Sequence, residues 1–246
     1  MRANQKHIAP TIVSQDMKNI LIIGHSSGIG KALSNLLAEN HRIYGTYSKS
    51  RDTHQHPNVS SHYLSVLEED IDWRFLPDSL DGLVYCPGAI NLKPFARAKT
   101  SDFLEDYHLQ VLGAVKCIQA CLPNLKKSGN GSIVLFSSVA AQTGFNFHSI
   151  VSSSKGAIEG LTIALSAEFA PSIRVNCIAP SLTNTPLSGN LLNSPEKIEA
   201  NAQRHPLKQI GTPENIAESA AFLLSPQSSW ITGQVLHVDG GIGTIR

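Results

Sequence analysis

Three positions in the stretch from Ile133 to Lys155 carry the densest chemistry of this chain: Ser138, Val151 and Lys155. Ile133-Val134-Leu135-Phe136 is a buried-strand pattern that delivers Ser137 and Ser138, and a helix starting near residue 151 carries Lys155. A hydroxyl at a strand end and a lysine on the next helix are polar groups brought to the carboxyl edge of a parallel sheet, where ligands of such sheets bind. Val151 lies one helical turn before Lys155, so both share a face and line whatever the lysine touches. That face offers a cation and an isopropyl group, and the isopropyl group cannot move a proton.

A second cluster lies near the start. Asn19 to Ile23 reads as a strand, and Gly24-His25-Ser26-Ser27-Gly28-Ile29-Gly30 turns it into a helix with Leu33, Leu36 and Leu37 on one face. Free backbone N–H groups at a helix N-terminus favour a phosphate, and glycines let the chain approach it closely. The spacing is GxxxGxG rather than the commoner GxGxxG, and a plain tight turn would look the same. The second strand, Arg42 to Tyr47, ends where a carboxylate would bind the free ribose 2′-hydroxyl of NAD. Tyr47 and Ser48 stand there instead, followed by Lys49 and Arg51. Two cations without a carboxylate favour the 2′-phosphate of NADP over NAD; the alternative is that both are solvated loop charges.

The elements that must position these groups alternate along the chain. A third strand is expected at about His62 to Leu67, spanning Ser65 and Val66, and a fourth from Gly82 to Tyr85, with Cys86-Pro87-Gly88 opening the next loop. Leu104, Val111, Val115, Ile118 and Leu122 recur at helical spacing from Ser101 to Leu122, with Gln110 among them. Ile158, Leu161, Leu165 and Phe169 continue the Lys155 helix, and Ile173 to Ile178 is a sixth strand ended by Ala179-Pro180-Ser181. Leu182 to about Pro206 is irregular and long enough for a substrate lid, with a structural surface loop as the competing reading. A helix from Pro213 to Leu224 and a strand from Val235 to Val238 close the pattern. The alternation predicts an α/β fold: a doubly wound, Rossmann-type parallel sheet of about seven strands with helices on both faces. One domain is expected over 17–246, after a loose extension at 1–16 or an alternative start at Met17.

Composition limits the partners. Lysine plus arginine (20) nearly balances aspartate plus glutamate (19), so no global field favours nucleic acid or a membrane surface; small molecules or like subunits are expected. Cys86, Cys117, Cys121 and Cys177 form no CxxC pair, and neither a signal-peptide pattern nor an apolar run of spanning length occurs, which points to a reducing, cytoplasmic setting. Cys117 and Cys121 read as packing residues. His54 and His56 lack a ligand-spaced partner, so no metal is expected.

With these motifs in place the chain resembles the short-chain dehydrogenase/reductase family from Met17 onward. Gly24 to Gly30 is similar to its cofactor turn, Cys86-Pro87-Gly88 stands where its Asn-Asn-Ala-Gly motif falls, and Ser138 and Lys155 have its catalytic spacing. Ile173-Arg174-Val175-Asn176 and the stretch containing Pro180, Leu182, Thr183 and Thr185 resemble its nicotinamide-side segment, and Trp230 to Gly241 its last strand. The resemblance implies an NADP-dependent oxidoreductase that moves a hydride between nicotinamide and a small carbonyl or alcohol, built as a homotetramer or dimer. It also implies roles: a serine that orients substrate, a lysine that binds the nicotinamide ribose, a tyrosine that exchanges the proton, and an asparagine that holds a relay water. Ser138 and Lys155 match the first two; Val151 stands at the tyrosine position and Gln110 at the asparagine. Ser65 replaces an acidic residue near the adenine, and Ser181 a glycine. Ser138, Ser152, His148 or a water held by Lys155 are the candidate stand-ins for the proton. The alternative is a non-catalytic NADP-binding sensor or structural subunit. The substrate would be set by Ala89 to Thr100 and Leu182 to Pro206, which carry no legible motif.

Overall fold

The computed structural model describes residues 17–49 and 56–245, so the expected extension at 1–16, Arg51 and His54 lie outside the described residues. Seven strands form one parallel sheet in the order β3-β2-β1-β4-β5-β6-β7: β1 Asn19–Ile23, β2 Arg42–Tyr47, β3 Val59–Tyr63, β4 Gly82–Tyr85, β5 Gly131–Phe136, β6 Ile173–Pro180 and β7 Val235–Val238. A parallel sheet needs both faces covered, and alternation along β1 shows how this is met. Ile20 and Ile22 pack under α1 (Gly28–Ala38) and α6 (Pro213–Leu224), whereas Leu21 and Ile23 face α3 (Gly113–Ser128) and α4 (Ser149–Phe169). Two further helices, α2 (Thr100–Tyr107) and α5 (Pro195–Gln203), flank the carboxyl edge. No helix among the described residues is long and apolar enough to cross a membrane.

Several expectations need correction. The third strand occupies Val59–Tyr63 instead of His62 to Leu67, because its ladder to β2 ends at Tyr47↔Tyr63, where β2 itself stops. Ser65 and Val66 therefore follow the strand, and Val66 is buried in the core. Leu36 is 45% exposed, off the buried face that Leu33 and Leu37 share. The single helix read over Ser101 to Leu122 is two helices joined by a π-helical turn at His108–Leu112. A wider turn shifts the apolar face, which leaves Leu104 56% exposed while Val111 and Ile118 are buried. The Tyr85 hydroxyl donates to the Leu109 carbonyl inside this turn, and the missing side chain of Gly113 makes room for it. The Lys155 helix begins at Ser149, ahead of the expected start. Lys126 to Ser128 finish α3, and Gly129 caps it in the left-handed region.

The chain runs from β1 to β2 in one direction and from β3 to β4 across β1 in the other. The switch point thus lies between β1 and β4, at the ends that carry Gly24 and Cys86.

Candidate active site

The β1–α1 turn is built by backbone. Gly24 and Gly28 hold positive φ, and a Cβ on Gly30 would lie 2.3 Å from the Gly24 carbonyl oxygen, so only glycine closes the turn. The turn is tied to β2 through the Gly24 and His25 amides, both bonded to the Thr46 carbonyl. Ser27 precedes α1 without a side-chain cap, and no acidic residue lies in the first helical turn. The first N–H groups of α1 are therefore left to solvent or a ligand. A Cβ on Gly28 would touch Thr185 at 3.4 Å, which brings the segment after β6 against the turn.

Beside the turn lies a cavity of about 280 Å³. Gln110, Ser138, Val151, Lys155, Pro180 and Thr185 line it, together with Cys86, Gly88 and Ile29. Lys155 projects from α4 and donates from Nζ to the Phe136 carbonyl at 2.9 Å, locking α4 to the end of β5. Burial of its ammonium pulls the pKa down to about 8, while Cys177, Asp106 and Cys86 act in the opposite direction. The same burial pushes the Cys86 and Cys177 thiols up to about 12, so both stay neutral near the lysine. Gln110, buried in the π turn, donates from Nε2 to Asp106 at 2.6 Å, and Asn91 donates to the other Asp106 oxygen at 3.0 Å. The Gln110 Oε1 has no partner, although buried. It lies near Lys155 Nζ: a Cβ on Gly88 would be 3.4 Å from the former and 3.8 Å from the latter.

Ser138 opens the short 3₁₀ turn Val139–Ala141, and its Oγ accepts from the Ala140 amide at 3.2 Å, which leaves its own O–H for a ligand. Ser137 also lines the cavity, but its hydroxyl is taken up by Glu159, to which it donates at 2.7 Å. Val151, buried, faces the cavity one turn before Lys155. His148 also lines the cavity and directs Nδ1 at the Asn146 carbonyl, 2.8 Å away. Ser152 is outside this cavity; its hydroxyl donates to the Ala140 carbonyl at 2.7 Å and fastens the helix start.

This geometry can be set against known proteins. A family model described as enoyl-(acyl carrier protein) reductase matches residues 64–243. The 3-oxoacyl-[acyl-carrier-protein] reductase FabG of Thermotoga maritima is 33% identical over 242 residues, covering 92% of this chain and 97% of that protein. The chain belongs to the short-chain dehydrogenase/reductase family. A tropinone reductase homolog of Arabidopsis thaliana is 41% identical over 150 residues, which is 61% of this chain and 57% of the relative. Two further Arabidopsis homologs are likewise matched over only 53% and 63% of their length. Among solved structures, ElxO with NADP bound aligns at 28% identity and a TM-score of 0.81, covering 92% of this chain and 98% of that one.

Within this short-chain dehydrogenase/reductase fold the expected site residues divide into two groups. The cavity gathers Gln110, Ser138, Val151, Lys155, Cys86, Gly88, Ile29, Pro180, Leu182, Thr183 and Thr185. Gly24, Ser26, Ser27, Gly28, Gly30, Pro87, Tyr47, Ser48, Lys49, Ser65 and Val66 do not line it; they sit along the carboxyl ends of β1 to β4. Tyr47 packs edge-on against Tyr63 and is partly buried, while Ser48 and Lys49 are exposed. The stretch from Leu182 to Pro206 is not one irregular loop: a 3₁₀ segment, Pro186–Leu191, and α5 wall the cavity with Leu187, Leu191, Asn201, Arg204 and His205. Sequence reasoning missed Arg204, whose guanidinium lies 5.5 Å over the Phe145 ring, and His205. Neither has a local signal, because Phe145, before α4, and Ser181, after β6, reach them only through the tertiary fold.

Proposed function

We propose that this chain is an NADP-dependent oxidoreductase that transfers a hydride between nicotinamide and a small carbonyl- or alcohol-type substrate, with proton transfer relocated from the family's tyrosine position. The observation that carries this reading is the single cavity shared by Ser138, Gln110, Lys155 and Pro180 to Thr185, next to an uncapped glycine turn. The residues present fit a dinucleotide. The N-terminus of α1 lacks both acid and cap, and Gly24 to Gly30 leave room for a pyrophosphate. Tyr47, Ser48 and Lys49 would face the adenosine ribose, Ser65 and Val66 the adenine, and Cys86-Pro87-Gly88, Lys155 and Pro180 to Thr185 the nicotinamide half. Lys49, which follows Tyr47 and Ser48 where a carboxylate would hold a free 2′-hydroxyl, supports the 2′-phosphate. When bound, the nicotinamide supplies or accepts the hydride.

The chain's own groups do the rest. Ser138 offers its free O–H to the substrate oxygen. Lys155, still largely an ammonium at neutral pH, holds a ribose hydroxyl and favours negative charge developing nearby. The unpaired Gln110 Oε1 is an open acceptor beside that polar cluster. Val151 cannot transfer a proton, and a positioned general acid is worth about 10²- to 10⁴-fold in rate, so the proton must come from another wall of the cavity. We also infer a homo-oligomer, dimer or tetramer, through the exposed apolar residues Leu104, Leu112 and Ile163 of the α2–α4 surface and Trp230 ahead of β7.

The test is a fluorescence titration with NADPH and NADH, combined with absorbance at the reduced-nicotinamide band against a carbonyl panel. NADPH is expected to bind more tightly than NADH and to be oxidised by at least one probe. Tight binding without turnover would favour a sensor or structural subunit, and no binding of either nucleotide would overturn the cofactor assignment.

A further inference from the structure

The wall of the cavity opposite α4 carries a hydroxyl–imidazole pair that the reading above leaves idle. Ser181 Oγ lies 2.8 Å from Nε2 of His205, and Nδ1 of the same ring lies 2.9 Å from the Asn201 carbonyl oxygen. A carbonyl can only accept, so Nδ1 carries the proton, and in the neutral ring Nε2 presents its lone pair to the Ser181 hydroxyl. The ring is 3% exposed and is held by three separate elements. Ser181 follows β6, Asn201 belongs to α5, and Gly240 follows β7. Gly240 adopts φ +61, a conformation that favours glycine, and packs against the His205 ring, within van der Waals contact of where a Cβ would lie, 3.4 Å from the ring. A hydroxyl bonded to a base that a third group orients is the arrangement that activates hydroxyls for proton transfer. Ser181 and His205 line the same cavity as Ser138, Val151 and Lys155.

We propose that Ser181 and His205 form the proton relay of this cavity, with Ser181 exchanging a proton with the substrate oxygen and His205 acting through Ser181. The proposal rests on the oxidoreductase reading. In the oxidising direction the substrate O–H bond breaks and its proton passes to Ser181 Oγ, while the Ser181 proton moves to His205 Nε2. The carbon would lose its hydride, with both electrons, to a bound oxidised nicotinamide, and the extra proton on the imidazolium returns through Ser181 to water in the cavity once the product has left. In the reducing direction the His205 imidazolium returns its Nε2 proton to Ser181 as the Ser181 proton is delivered to the oxygen of the carbonyl receiving hydride. Ser181 is the catalytic group and His205 its positioning and relay residue.

Two measurements on the full chain test this. In protein labelled with ¹⁵N-histidine, the His205 Nε2 resonance is expected to be that of an unprotonated, hydrogen-bonded nitrogen and to move downfield in Ser181→Ala. A resonance that Ser181→Ala leaves in place overturns the pair. The second measurement follows NADPH oxidation with benzaldehyde, cyclohexanone and ethyl acetoacetate. Ser181→Ala is expected to lower kcat at least about 10²-fold with KM and the NADPH Kd within about threefold, while Ser181→Thr retains turnover. His205→Ala is expected to lose comparable activity and to regain part of it with added imidazole, a rescue that a purely structural histidine would not show. Undiminished kcat in Ser181→Ala overturns the relay and leaves the oxidoreductase reading standing. Intact ¹⁵N coupling with no wild-type turnover of any probe sinks that reading and the relay with it.

Discussion

The turn at 24–30 presents backbone donors, whereas the cavity between β5 and α5 presents side chains drawn from β5, α4, β6 and α5. At the turn, the residues that matter are those whose side chains must be absent: a Cβ on Gly30 would collide with the Gly24 carbonyl. In the cavity, each chemical group is a separate side chain held by one or two hydrogen bonds, as with Lys155 on the Phe136 carbonyl and Ser181 on His205. A backbone site survives most substitutions around it and fails at a few glycines. A side-chain site can change its chemistry one residue at a time.

If that contrast holds, Gly30→Val should have the largest effect. The new side chain displaces the turn, and NADPH affinity should fall at least about 10²-fold, together with a lowered Tm, in a titration and a thermal melt. Normal NADPH binding by this variant would break the comparison at its root. Val151→Tyr should act on the other half alone: about tenfold higher kcat with small ketones at unchanged NADPH affinity, if the introduced phenol supplies an acid. A loss of native activity would instead show that the isopropyl group shapes the pocket for a different substrate.

Lys155 joins the two halves, and its titration gives a sign that can be checked. Burial holds its pKa at about 8, below the ordinary 10.5, so folding favours the neutral amine. The cost of burying the ammonium is present in full below about pH 8 and is relieved as pH rises towards 10.5. Stability of the apo protein should therefore gain from Lys155 across that window, while NADPH binding that uses the ammonium should weaken above about pH 8. In Lys155→Met both inflections should vanish, with NADPH affinity reduced about tenfold at neutral pH. Denaturant melts and titrations across pH measure both. The smallest effect belongs to exposed Lys49: Lys49→Ala should weaken NADPH about threefold, leave NADH unchanged, and lose its effect at high salt.

Legibility followed the same division. Strands β1, β2, β4 and β7 were readable to the residue because each is a short run dominated by aliphatic, β-branched or aromatic side chains. The edge strand β3 was not, because Val59–Tyr63 is largely polar and the aliphatic Leu64 and Val66 that follow belong to the core. The break between α2 and α3 was hidden as well. It is accompanied by a contact with Tyr85, distant in sequence, whose hydroxyl reaches the Leu109 carbonyl in the space left by Gly113.

From its residues alone, the chain specified a parallel sheet, a glycine turn that closes only without side chains, and the shared helix face of Val151 and Lys155. These depend on local periodicity and on sterics within a few residues. Tertiary structure alone decided that Ser152 is turned out of the cavity, that Gln110 Oε1 is buried near Lys155, and that Ser181 meets His205. Those contacts form between elements whose approach is set by packing on the sheet, and no spacing along the chain encodes the distance between a hydroxyl after β6 and an imidazole after α5.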